Sequence, residues 1–140
     1  MEQIIKNQPD WDDVINNNFS KFSNSEFFSN TIYLNGATKD SAFPLWYRCY
    51  NLGEAKLYTI QGFIDMPDLA VGQSIDVFNV PGITGTIRFL SVQNVEAKKE
   101  DTILMNSSST NGTFTISNRS SEPIKNWHPR YSILVICDNE

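Results

Sequence analysis

One hundred and forty residues are enough for one domain with a buried core and too few for two ordinary ones. Apolar residues make up 40% and charged residues 19%, so the chain is polar mainly through Asn, Ser and Thr, the balance of a folded, turn-rich protein rather than a disordered one. Eleven basic residues against sixteen acidic ones give a net charge of -5, which lacks the Lys and Arg excess that a phosphate backbone demands and argues against a nucleic-acid partner.

The opening residues carry neither a basic n-region nor an apolar h-region, so no secretory signal is expected. The longest uninterrupted apolar run, 133–137, is far below the roughly 20 residues that cross a bilayer, and no membrane insertion is expected. Asp10 precedes Trp11, Val14, Ile15, Phe19 and Phe22, which fall on one face at helical spacing while Asp12, Asp13, Asn16 and Asn17 face away. Asp10 suits an N-cap, and Asp12 and Asp13 suit the positive end of a helix dipole. The spacing predicts a short N-terminal α-helix over 11–22, too short to stand alone in water, which must dock on the following domain or on copies of itself. Residues 1–26 are therefore read as an N-terminal helical segment, with the polar stretch 23–26 as its linker.

From residue 27 to 140 the period changes to two, and the fold class is read as all-β: an antiparallel β-sandwich, jelly-roll-like, of about eight short strands. Candidate strands are 31–34, 45–50, 56–64, 74–78, 84–92, 102–105, 113–117 and 131–137. Asn35-Gly36, Asn51-Leu52-Gly53, Met66-Pro67-Asp68, Val80-Pro81-Gly82, the charged stretch 97–101 and the stretch 106–112 supply the turns between them. Strand 113–117 alternates strictly, with Phe114 and Ile116 toward a core. Strand 131–137 is apolar on both faces, with Ile133, Val135 and Cys137 on one side and Leu134 and Ile136 on the other. Another subunit, a central position in the sheet, or the N-terminal helix could supply the second cover. Trp11, Ile15, Phe19, Phe22, Ile133 and Val135 are the residues expected at an oligomer interface.

Motifs for catalysis are weak. The single histidine, His128, has no His-x-x-x-His, cysteine cluster or calcium loop around it, so no metal site is read, and no Gly-x-Ser-x-Gly elbow accompanies it as a base. Asp65, Asp68 and Asp76 could be paired for glycoside hydrolysis, but each is explained by a turn or by solvation. Phosphate-binding and dinucleotide fingerprints are absent, and no cofactor is read. Cys49 and Cys137 are read as two buried thiols, with a bridge as the alternative. The sequons at Asn18, Asn106, Asn111 and Asn118 are read as turn and surface residues.

What remains is surface recognition. Trp46, Arg48 and Tyr50 share one face of their strand, and Trp127, His128 and Arg130 lie together near the last one. Rings beside guanidinium and imidazole groups suit stacking on sugars and hydrogen bonding to their hydroxyls, so these six are the candidate carbohydrate-binding residues.

The stretch Asp10-Trp11-Asp12-Asp13-Val14-Ile15-Asn16-Asn17-Asn18-Phe19-Ser20-Lys21-Phe22 resembles the short helical segment that opens domains in tail-fibre and baseplate proteins of phages infecting Gram-positive bacteria. Tyr33-Leu34-Asn35-Gly36-Ala37, Tyr47-Arg48-Cys49-Tyr50-Asn51-Leu52-Gly53, Leu69-Ala70-Val71-Gly72 and Val80-Pro81-Gly82 look like stretches of the β-sandwich head modules of such receptor-binding proteins. The resemblance implies a homotrimer in the virion, assembled in the bacterial cytoplasm, with residues 1–26 as its attachment or trimerisation segment and 27–140 as its head, joined to other tail or baseplate proteins and binding a host cell-surface saccharide. It implies no catalytic residue. A purely structural baseplate adaptor is the alternative, and a polysaccharide-degrading enzyme a further one.

Overall fold

A computed structural model describes residues 25–94 and 102–139 of the chain. The helix expected over 11–22, with Trp11, Ile15, Phe19 and Phe22, lies outside the described residues, as does the charged stretch 97–101.

Ten strands follow in order: β1 (Ser25–Phe28), β2 (Ile32–Tyr33), β3 (Thr38–Lys39), β4 (Trp46–Asn51), β5 (Ala55–Asp65), β6 (Ser74–Asn79), β7 (Ile87–Asn94), β8 (Thr102–Asn106), β9 (Thr113–Asn118) and β10 (Arg130–Asp138). The described fold is all-β, in two antiparallel sheets. The larger runs β1-β4-β5-β10-β7 with β3 beside β5, and the smaller runs β2-β6-β9-β8. All eight expected strands have a counterpart, and β1 and β3 are additional. Ser25 and Glu26, expected in a linker, begin β1. Glu26 is exposed on this edge strand, so its charge stays in water. The strand expected from 84 starts at Ile87 instead. Gly85 packs against β10 so closely that a Cβ would lie 2.1 Å from the Asp138 carbonyl oxygen, and the ladder slips by one residue between Ile136 and Cys137.

The inner faces of the two sheets share one core. Tyr47, Tyr58, Ile60, Ile64, Ile133 and Val135 come from the larger sheet, and Val77, Phe78, Leu104, Phe114 and Ile116 from the smaller. Phe78 and Phe114 stack with ring centres 4.8 Å apart, and Tyr47 and Tyr58 pack at 6.0 Å. Strand β10 alternates without exception: Tyr131, Ile133, Val135 and Cys137 are buried, while Arg130, Ser132, Leu134, Ile136 and Asp138 point outward. Ile133 and Val135, expected at an oligomer interface, are thus core residues, 2% and 0% exposed, because β10 lies between β5 and β7 with this side against the smaller sheet. The outward apolar pair is Leu134 and Ile136.

Cys49 and Cys137 are both free thiols. Their strands flank β5, so two strand spacings of about 4.8 Å separate them, more than the roughly 7 Å a disulfide spans. Asn35 and Gly36 take positive φ of 53° and 88°, and the Ala37 N–H donates to the Leu34 carbonyl at 3.0 Å, as a type I′ turn requires. Instead of closing a hairpin, this turn carries the chain from β2 in the smaller sheet to β3 beside the larger one.

Asn118, expected on the surface, is fully buried at the end of β9. Its amide nitrogen donates to the carbonyls of Leu69 (3.2 Å), Ala70 (3.3 Å) and Glu122 (2.9 Å), and its carbonyl oxygen accepts from the Ser120 N–H (3.0 Å) and hydroxyl (2.6 Å). It clamps two connections that Leu69 and Ile124 join by an isolated bridge. Removing it deletes five hydrogen bonds, each contributing about 0.5–1.5 kcal/mol, although the three carbonyls keep a second donor each, the Ile124 N–H on Leu69, the Gln73 N–H on Ala70 and the Ser120 hydroxyl on Glu122. Asn118→Ala should therefore lower stability by about 2–4 kcal/mol in urea unfolding, and a loss below about 0.5 kcal/mol would show that the clamp is slack.

Burial raises the hydroxyls of Tyr33, Tyr47, Tyr58 and Tyr131 above the ordinary 10.0. The folded chain holds these phenols neutral while the unfolded chain ionises them, so their contribution is complete below pH 10 and is lost as pH climbs above it. Phenolate absorbance from these four should appear together with loss of far-ultraviolet dichroism. Full ionisation in an intact fold would contradict their placement.

Candidate functional site

Cross-strand register arranges the outer face of the larger sheet in rows. The first row is Tyr50, Leu57, Ile136 and Phe89, with Ser25 opposite Tyr50 at its end. The second is Phe27, Arg48, Thr59, Leu134 and Ser91; the third Trp46, Gln61, Ser132 and Gln93; the fourth Phe63 and Arg130. The face thus grades from an apolar end into one that mixes rings with amide, hydroxyl and guanidinium groups. The outer face of the smaller sheet is different in kind. There Ser74 pairs with Ser117 (2.6 Å), Thr115 donates to Asp76 (2.6 Å) and Asn79 donates to Thr113 (2.9 Å), a polar centre flanked by the exposed apolar side chains of Ile32 on β2 and of Ile103 and Met105 on β8.

At the mixed end, Phe43, Trp46, Gln61, Gly62, Phe63 and Arg130 line a shallow depression of about 320 Å³. Phe43 comes from the loop before β4, held over β5 by three local features. The Asp40 carboxylate accepts from the N–H groups of Ala42 (2.9 Å) and Phe43 (2.8 Å), and these two bonds hold its pKa below the usual carboxylate range. The Phe63 N–H donates to the Phe43 carbonyl at 2.9 Å. Gly62, at φ +139°, passes so close that a Cβ would sit 2.4 Å from the Pro44 carbonyl oxygen. Phe43 then lies 6.0 Å from Phe63, and the Arg130 guanidinium lies 5.7 Å from the Phe63 ring centre. On the other flank Phe27 lies 5.5 Å from Trp46, with the Arg48 guanidinium 5.4 Å from the Phe27 ring centre. A narrower depression of about 110 Å³ adjoins the first, lined by Gln61, Arg130, Tyr131 and Ser132.

Of the six candidate residues, Trp46, Arg48, Tyr50 and Arg130 share this face. Trp127 does not: it is 5% exposed within the core, so neither face of its ring is open to a sugar. His128 lies beyond the fourth row, its Nδ1 2.8 Å from the Asp65 carboxylate. Phe43, Gln61 and Phe63 complete the depression without having been singled out. Alternation along β5 could have placed Gln61 and Phe63 beside Trp46, whereas nothing local to Phe43 marks it.

Asp65 and Asp76 stand on the outer faces of different sheets and cannot flank one bond from either side. Among the described residues, no group of three or more His, Cys, Asp or Glu side chains could hold a metal, and no helix is long and apolar enough to cross a membrane. Chemically, the depression can stack a ring face and donate hydrogen bonds from a guanidinium and an amide. No protein-family model, curated protein or solved structure matches this chain.

Proposed function

We propose that this protein is a non-catalytic attachment module of the phage tail or baseplate kind that its sequence resembles: a jelly-roll-like β-sandwich that binds a cell-surface saccharide. The observation that carries the reading is the cluster of Phe43, Trp46 and Phe63 around Gln61 and Arg130 in one shallow, water-accessible depression. The C–H face of a hexose is apolar and packs on such rings, while its rim of hydroxyls accepts from guanidinium and amide groups and exchanges hydrogen bonds with Ser132. A site this open binds weakly. Display in several copies, as in the homotrimer that the resemblance implies, converts millimolar contacts into durable attachment through effective concentration.

The apolar row of Tyr50, Leu57, Ile136 and Phe89 beside the depression supports a second reading, a structural adaptor that uses this sheet face against protein. Binding of the full chain to purified cell-wall saccharides and to a glycan array separates the two. Trp46→Ala and Arg130→Ala should each weaken saccharide binding at least tenfold while leaving the unfolding midpoint within a few degrees. Binding to neither cells nor saccharides by the folded wild-type protein would replace the attachment reading with the adaptor. Release of reducing sugar from the same polysaccharides would instead make the protein an enzyme.

A further inference from the structure

We propose that the sugar unit held in the depression carries a carboxylate, which the narrower adjoining depression receives; this deepens the saccharide reading and rests on it. The sugar ring lies on Phe43, Trp46 and Phe63, and its acidic substituent reaches across to Gln61, Arg130 and Ser132. Register fixes how the two depressions join. Gln61 faces Trp46 on one side and Ser132 on the other, and Arg130 faces Phe63, so the rings stand toward β4 and the polar groups toward β10. One strand spacing, about 4.8 Å, separates them, which is the reach of a single substituent. Size points the same way. At about 30 Å³ for each water-sized group, 110 Å³ holds about four, too few for a second hexose and enough for one substituent.

Charge selects the substituent. Guanidinium, amide and hydroxyl groups all donate, and a carboxylate accepts through both oxygens with bonds roughly twice as strong as those to a neutral hydroxyl. The four rows of the outer face hold two guanidinium groups, Arg48 and Arg130, and no carboxylate, although acidic residues outnumber basic ones sixteen to eleven in the whole chain. The carboxylates that border the rows are already engaged, Asp65 at 2.8 Å from His128 and Asp138 at 2.8 Å from Arg88. Arg48 stands one row, about 7 Å, from Trp46, within the roughly 8 Å over which charges act at physiological salt. This local excess of positive charge favours one acidic group per sugar unit, while the chain's net charge of -5 disfavours a densely charged polyanion.

Binding of the full chain to a glycan array in which each uronate-containing oligosaccharide stands beside its carboxyl-reduced counterpart tests this, because the members of a pair share ring and linkage and differ in charge. The acidic member should bind at least tenfold more tightly. Raising the salt from about 0.05 to about 0.5 M should weaken it several-fold and leave the neutral member unchanged. Arg130→Gln, which keeps a planar amide but no charge, should bring the ratio between members close to one. Should that variant fail to fold, the salt series on the wild-type protein decides alone. Equal or tighter binding of the reduced members overturns the proposal and leaves the saccharide reading standing, as does binding confined to neutral glycans. A ratio unaltered by Arg130→Gln overturns it too, and so does a preference for sugar phosphates with none for uronates, which would assign the narrower depression to a phosphate. Binding to no glycan at all removes the saccharide reading and this proposal with it.

Discussion

The antiparallel ladder of β4, β5, β10 and β7 is the constraint on which the rest of the structure depends. Side chains alternate strictly along an extended strand, so a ladder that is apolar on both faces must bury one face and find another use for the second. Tyr58, Ile60, Ile133 and Val135 fill the space between the sheets, each burial of an aliphatic side chain contributing about 1.5–3 kcal/mol. The opposite residues of the same strands, from Tyr50 and Leu57 to Phe63 and Arg130, are then fixed on one outer surface by register alone.

That surface is not uniform, and its gradient organises the candidate functions. At one end a single row, Tyr50, Leu57, Ile136 and Phe89, is aliphatic and aromatic. At the other, rings alternate with Gln61, Ser132 and Arg130. The mixed end is further shaped by a loop that would stand off the sheet if position 62 carried a side chain, since its backbone meets Pro44 at a distance only glycine allows. The Asp40 carboxylate secures the loop from its own side through two backbone N–H groups. A rigid sheet and a pinned loop together present three rings in one orientation, which lowers the ordering cost of binding.

Much of the fold was legible because period-two patterning and turn chemistry are local signals. Strand 113–117 needed nothing beyond Phe114 and Ile116 between hydroxyl residues, and β10 declared its two apolar faces. Which of those faces turned inward was not legible: Ile133 and Val135 were expected at an interface, yet the choice depends on where the smaller sheet lies. Asn118 was misread for a related reason. Its five hydrogen bonds come from residues 69, 70, 120 and 122, and only the folded chain brings them around one amide. Trp127 carried the same ambiguity, since a tryptophan beside His128 and Arg130 suits a binding surface and a core equally well until its neighbours are known.

By itself the sequence determined an all-β class, the positions of most strands and turns, the lack of a basic surface, and an apolar excess on the final strand. These follow from residue type and spacing, which act within a few residues. Only the tertiary structure decided that Trp46, Gln61, Phe63 and Arg130 meet, that Phe43 completes the group, and that Trp127 leaves it. Such placements follow from pairing between strands far apart in the chain, and pairing is settled by the whole core at once rather than by any one segment.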